Sequence, residues 1–256
     1  MKAVILAGGL GTRLNEETKD MPKPMVRIGG KPILLHIMNL YSVYGINDFI
    51  ICCGYKGYVI KEYFNNYFLH NSDIEMELDG GMIKHKNISN NNNNNWKILF
   101  ADTGEETMTG GRIKKIKKYI KNDDTFFMTY GDGVSNVNIK KLLEFHKKHK
   151  KIATVTAVRP PARFGELTLI KNKVLNFDEK NQIKTGWING GFFVFNSSIF
   201  KFIPKKNTML ERDTMRKLTH KKQILAFKHE GFWQCMDTLR DKELLDKRWK
   251  IKKNLW

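Results

Sequence analysis

The stretch LAGGLGTRLNEETKDMPKPM, Leu6 to Met25, follows a short apolar run, KAVI. It carries three glycines (Gly8, Gly9 and Gly11), then Arg13, then Lys23 held between Pro22 and Pro24. Glycine lets the backbone approach a ligand closely and adopt positive φ. Backbone N–H groups in such a turn can cradle phosphate oxygens. Arg13 and Lys23 supply fixed positive charge, and the two prolines stiffen the chain around the lysine. The chemistry this favours is polyphosphate binding, against the plainer reading of a tight glycine turn beside a surface lysine. Two better-known loops are excluded. Gly11 is followed by Thr12-Arg13 rather than by the Gly-Lys-Ser/Thr of a P-loop, and Leu14 stands where a dinucleotide fingerprint needs its third glycine.

Three further groups of residues could do chemistry. In FFMTYGDGV (Phe126–Val134) an apolar run ends in Gly-Asp-Gly. Asp132 is thereby placed at a sheet edge, where it is either a magnesium ligand or an ordinary turn aspartate. In FDEKN and WINGGFFVF (Phe177–Phe195), Glu179 can accept from sugar hydroxyls, Lys180 can pair with a sugar phosphate, and Asn189-Gly190-Gly191 allows close backbone approach. A strand-end ion pair with a bulge explains the same residues structurally. In GFWQCMDTLRD (Gly231–Asp241), Asp237 is either a second metal carboxylate or the N-cap of the helix that follows. No catalytic triad or HExxH spacing is present. A sugar phosphate needs none. Its second pKa is about 6, so it is largely dianionic at neutral pH and requires only positioning and charge neutralisation.

The elements that must position these residues alternate between strand and helix. Strands are predicted at Lys2–Leu6, Asp48–Cys53, Lys97–Ala101, Thr125–Tyr130 and Ile152–Val158, with helices at Pro32–Tyr44, Tyr58–Phe68, around Ile113, and at Ile139–His149. This order implies an α/β fold with a mostly parallel sheet covered on both faces. The later chain predicts a hairpin (Leu167–Ile170 and Val174–Phe177), a strand at Ile188–Phe195, a helix at Met209–Leu218, a strand at Ile224–Phe227 and a last helix at Thr238–Trp249. One domain is expected, with residues 1–160 as nucleotide-binding core and 161–256 as a smaller sugar-binding portion that closes over the sheet edge. His146 and His149 lie on a lysine-rich helix and read as surface residues.

With 256 residues, 41% hydrophobic and 28% charged, the chain can bury one sizeable core. No apolar run reaches membrane-span length, so no membrane partner is expected. The start of the chain lacks the pattern of a secretory signal, which predicts a cytoplasmic protein. Its three cysteines, without CxxC spacing, read as buried thiols in a reducing compartment. The formal net charge of +19 raises nucleic acid as a partner. The lysines are scattered, however, and in GGRIKKIKKYI they fill the solvated face of an amphipathic helix. With the asparagine tract at 90–95, this points to compositional drift and no nucleic-acid partner.

LAGGLGTRL followed by PKPM, then GDG, the EK pair and NGGFF in that order, resembles the sugar-phosphate nucleotidyltransferases. IICCGYKGYVIKEYF, DTG…MTGGR, TYGDG and GFWQ-MDTLRDK resemble the cytidylyl-transferring branch, and the likeness spans essentially the whole chain. The resemblance implies a Rossmann-like α/β fold with a mostly parallel mixed sheet. It implies a magnesium-dependent reaction in which glucose 1-phosphate attacks the α-phosphorus of CTP, giving CDP-glucose and diphosphate. The base is left open by physics alone, so UTP or dTTP remains an alternative. The resemblance places nucleotide on Leu6, Ala7, Gly8, Gly9, Gly11, Thr12, Arg13 and Lys23, and on Thr107, Arg112 and Gly131. It places sugar phosphate on Glu179, Lys180, Asn189 and Gly190, magnesium on Asp132 and Asp237, and catalytic roles on Arg13, Lys23 and Lys180. A homo-oligomer, trimers paired into a hexamer, and a role in dideoxysugar supply for lipopolysaccharide are also implied. Asn181 and Cys235 stand where the family often has proline.

Overall fold

The computed structural model of the chain describes residues 1–86, 95–120, 124–160, 166–170, 173–178, 186–251 and 256. Its centre is a seven-stranded sheet: β1 (Lys2–Ala7), β2 (Asp48–Cys53), β3 (Lys97–Asp102), β4 (Thr125–Tyr130), β5 (Ala153–Val158), β6 (Ile188–Asn196) and β7 (Ile224–His229). The spatial order is β7-β5-β6-β4-β1-β2-β3. β1 pairs parallel with β2 and β4, β2 with β3, and β5 with β7; β6 runs antiparallel to both β4 and β5. The sheet is therefore mixed but mostly parallel, as the alternation of elements predicts. The residues after 160 also enter the sheet itself: β6 is the third of its seven strands, between β5 and β4.

The β1 side chains show why the sheet is buried on both sides. Ala3, Ile5 and Ala7 enter one apolar cluster, while Val4 and Leu6 enter a second on the opposite face. The period of two along a strand sends neighbours to opposite faces, so a continuous apolar run fits a strand covered twice. The first face is covered by helix α1 (Ile33–Ser42), and also by α2 (Gly57–Asn65), α4 (Ile139–His149) and α5 (Leu239–Ile251). The second receives α3 (Thr109–Lys115), whose Ile113 packs with Ile116 and Leu210.

The helix expected over Tyr58–Phe68 is broken at Asn66, with a short helix, Tyr67–Asn71, beyond it. The segment expected as helix at Met209–Leu218 is π-helical over Leu210–Met215 before an α-helical turn, Arg216–His220. His146 is not a surface residue. It is 4% exposed, on the same stripe of α4 as Ile139 and Leu142, and its Nδ1 meets the buried Thr154 hydroxyl at 2.8 Å. Cys52 and Cys53 are buried free thiols, and burial pushes Cys53 up to about 11. No helix among the described residues is long and apolar enough to cross a membrane.

Candidate active site

The C-terminal ends of β1 and β4 open onto a cavity of about 1540 Å³. That volume exceeds the range of roughly 300–1,000 Å³ for one drug-sized ligand and leaves room for two substrates side by side. Leu6, Ala7, Gly8, Gly9, Gly11 and Thr12 line it, as do Lys23, Thr107, Arg112, Gly131 and Asp132, and Asn189, Gly190 and Asp237. Most of the residues expected from the sequence are thus brought to one cavity. Glu179 and Lys180 lie outside the described residues, as does the side chain of Arg13, whose backbone belongs to the turn Thr12–Leu14.

The three glycines after β1 serve different needs. Gly11 has φ +67°, and its carbonyl accepts from Leu14 N–H at 3.0 Å. A Cβ at Gly9 would meet nothing within 4 Å, so its open side is available to ligand. A Cβ at Gly8 would lie 2.2 Å from Arg112 Nη1, so this position is glycine because a guanidinium occupies the space. The Arg112 side chain, 3% exposed, donates from Nη1 to Cys53 O, Thr103 Oγ1 and Gly104 O, and from Nη2 to Gly8 O and Glu105 O. These donations tie the glycine turn to the ends of β2 and β3. Arg112 thus lines the cavity with its terminal nitrogens committed to protein oxygens, and it holds the glycine turn in shape.

Lys23 begins a 3₁₀ turn that closes with Met25 N–H on Pro22 O at 2.8 Å. Pro24 packs so tightly beneath Gly131 that a Cβ there would lie 2.8 Å from the ring. The turn aims Lys23 Nζ at Asp132 Oδ2, 2.7 Å away, and at Asp237 Oδ1, 2.6 Å away. The lysine side chain is 12% exposed and the carboxylates 29% and 21%. Burial alone would lower the ammonium's pKa; the two carboxylates reverse this, Asp132 foremost, and hold it above its ordinary value.

A ladder of two short strands brings the carboxylates together. Gly133–Ser135, just after Asp132, pairs antiparallel with Trp233–Cys235, just before Asp237. Met236 N–H then donates to Asp132 O at 2.8 Å. The capping reading of Asp237 does not hold. Thr238 caps α5, because Asp241 N–H donates to Thr238 Oγ1 at 3.3 Å. Asp241 Oδ2 returns the interaction by accepting from Thr238 N at 2.9 Å and Asp237 N at 3.1 Å. With this reciprocal capping box made by Thr238 and Asp241, the Asp237 carboxylate faces Lys23. Burial and the Asp237 carboxylate push the Cys235 thiol beside it up to about 12, so it stays protonated.

The donor set fits magnesium, which commonly takes one or two carboxylates together with substrate phosphates. Asp132 and Asp237 already converge on one cation, the Lys23 ammonium. Among the described residues no three His, Cys, Asp or Glu side chains cluster into a closed metal site. An ion here would therefore draw its other ligands from substrate.

The structure also adds residues the sequence did not single out. Tyr130 donates from its hydroxyl to Glu211 Oε1, and Thr109 donates to Glu211 Oε2 at 2.7 Å. Asn189 is oriented by Gly191 N–H donating to its Oδ1 at 2.8 Å. Gly190 gives its carbonyl to Trp233 Nε1–H at 2.6 Å. A Cβ at Gly190 would lie 3.0 Å from Thr156 O, and one at Gly191 2.7 Å from the Tyr130 ring. These glycines are required by strand and ring packing as well as by any ligand.

The family model described as Nucleotidyl transferase matches residues 2–246. Over its full length the chain is 52% identical to Glucose-1-phosphate cytidylyltransferase of Salmonella typhimurium and covers 98% of that protein. Its fold matches HddC from Yersinia pseudotuberculosis with a TM-score of 0.69 and 26% identity, covering 97% of this chain and 99% of that one. It matches apo-UDP-glucose pyrophosphorylase with a TM-score of 0.70 over 98% of each chain, at 17% identity, a likeness of fold alone. A glycine turn, a lysine and two converging carboxylates at one sheet edge, in a chain matched from end to end, identify a member of the nucleotidyl transferase family.

Proposed function

We propose that the protein transfers the cytidylyl group of CTP to glucose 1-phosphate, giving CDP-glucose and diphosphate. The observation that carries the reaction type is the meeting of Lys23 with Asp132 and Asp237 at the mouth of the glycine-lined cavity. The choice of CTP and glucose 1-phosphate is supported by 52% full-length identity to an enzyme of that name. The backbone from Gly8 to Thr12 binds the triphosphate, and Lys23 and Arg13 offset its charge. Asp132 and Asp237 would hold magnesium, which when bound neutralises phosphate charge. Asn189, with Glu179 and Lys180, orients the sugar phosphate. An oxygen of the sugar phosphate forms a bond to the α-phosphorus, the α–β bridging P–O bond breaks, and diphosphate leaves with that electron pair. The attacking oxygen is already deprotonated at neutral pH, since its second pKa is about 6, and the reading assigns no general base.

The test is diphosphate release from each nucleoside triphosphate in the presence of glucose 1-phosphate. CTP should give the highest kcat/KM; a clear lead for UTP or dTTP would move the chain to a sister activity. Self-association is part of the reading. It is supported by the hairpin Asp73–Glu77 and Met82–Lys86, where Met76, Leu78 and Ile83 are exposed. Light scattering that finds only monomer would remove this part.

A further inference from the structure

Tyr130 and Thr109 are the two hydroxyl-bearing residues that meet Glu211, and both line the cavity. Glu211 itself comes from the π-helical segment Leu210–Met215, behind them. An ionised carboxylate only accepts hydrogen bonds. The Tyr130 and Thr109 hydrogens are therefore both turned toward Glu211 and away from the cavity. Thr109 Oγ1 also accepts from Leu210 N–H at 2.8 Å, which fixes its direction further. The protein donor nearest the Tyr130 oxygen is Asn189 Nδ2 at 3.4 Å, beyond the normal range, so a ligand donor can take its place. The two hydroxyls therefore offer the cavity lone pairs and no hydrogens.

At these two hydroxyls the wall accepts an N–H and repels a carbonyl oxygen. The 4-position separates the pyrimidines in this way: cytosine presents an amino donor there, and uracil or thymine an oxygen acceptor. Thr109 also opens α3, the helix whose Arg112 grips the Gly8 carbonyl, so the wall is anchored directly to the phosphate turn. We infer that Glu211 is a positioning residue for base choice, holding the Tyr130 and Thr109 hydroxyls as acceptors that favour the amino-bearing base of CTP over the oxo-bearing base of UTP. The inference rests on the CTP reading above. Glu211 touches no substrate; it acts by setting which way two hydroxyl hydrogens point.

The experiment measures kcat/KM for CTP and UTP, and the KM for glucose 1-phosphate, in the full-length enzyme and in Glu211→Gln and Tyr130→Phe. The Gln amide can donate to the Tyr130 oxygen and release the phenol hydrogen toward the cavity. Tyr130→Phe deletes the acceptor while keeping the ring. Both variants should lower the CTP-to-UTP ratio by about tenfold or more, the scale of one polar contact in a specificity site, with an unchanged KM for glucose 1-phosphate. Calorimetric titration of each nucleotide should show the same loss of discrimination. An unchanged ratio in a folded variant overturns the inference, and so does an unchanged ratio with a raised KM for glucose 1-phosphate, which would assign the wall to sugar hydroxyls. If Glu211→Gln fails to fold by circular dichroism, Tyr130→Phe decides alone. A wild-type enzyme that prefers UTP would count against the CTP reading whatever the variants do, while the shift in ratio between wild type and variant still tests Glu211.

Discussion

Arg112 donates from Nη2 to the carbonyl oxygen of Gly8 at 2.7 Å, joining a helix on one face of the sheet to the glycine turn at its edge. The terminal nitrogens of the guanidinium meet five protein oxygens. A lysine has three donors on a single nitrogen and cannot span them. Arg112→Lys should cost about 2–4 kcal/mol in urea unfolding through buried acceptors left unpaired. It should also raise the nucleotide KM by about tenfold or more, as misplacement of a binding group does. Wild-type stability and KM in this variant would show the pin to be dispensable.

Gly8 and Gly9 should respond differently to alanine. At Gly8 the new Cβ meets a guanidinium that cannot withdraw, so Gly8→Ala should lower Tm and raise the nucleotide KM together. At Gly9 the Cβ enters open space, so Gly9→Ala should keep the wild-type Tm and lose only affinity for the triphosphate. Thermal unfolding of both variants, read beside their KM values, checks the pair. Equal Tm losses would contradict it.

Acid should destabilise the fold through the His146 pair. His149 Nδ1 accepts from Lys151 N–H at 2.9 Å, so its Nε2 carries the hydrogen that goes to Thr154 Oγ1 at 2.7 Å. The Thr154 hydroxyl then donates to His146 Nδ1. Burial first, and then His149, pull the His146 pKa down to about 4 from its ordinary 6.5. The folded state thus favours neutral His146. Its contribution is complete above pH 6.5 and is lost as pH falls from there toward about 4. Urea midpoints measured from pH 7 to pH 4 should fall, and His146→Leu should flatten that fall while lowering the midpoint at pH 7. A slope unchanged by the substitution would assign acid sensitivity elsewhere.

Much of the frame was legible in the sequence because its signals are local. Asp48–Cys53, Thr125–Tyr130 and Ile139–His149 match the observed bounds, since an apolar run or a 3.6-residue stripe marks each. The glycine turn and Lys23 stood out by residue type, and both line the cavity. Long-range pairing was not legible. Three-residue strands such as Gly133–Ser135 and Trp233–Cys235 carry no periodicity, yet their ladder is what joins Asp132 to Asp237. Asp237 was expected at the metal with a helix cap as the alternative, because capping boxes and metal carboxylates share residue types; only the Thr238–Asp241 geometry takes the cap away. Arg112 was expected near the nucleotide, but no spacing reveals the buried carbonyls that surround it. His146 was misread because the lysines of α4 outweighed its place on the Ile139–Leu142 stripe. Glu211 was passed over because nothing in its own segment points to Tyr130.

Asp132 and Asp237 meet at one cation, the Lys23 ammonium between them, and together offer magnesium a single site. Asp237→Asn is the sharpest probe, because asparagine keeps the size of the side chain and an oxygen that can accept from Lys23 but lacks the charge. The measurement is turnover of CTP and glucose 1-phosphate as magnesium is varied, beside binding of manganese to the nucleotide-free protein. Turnover should fall by about a hundredfold or more at low magnesium, the scale of losing an electrostatic contact to the reacting phosphates. Partial rescue at high magnesium, weaker manganese binding and an unchanged Tm should accompany the loss. Near-normal turnover at low magnesium with wild-type manganese affinity would contradict the shared site and leave Asp132 as the only carboxylate at the metal.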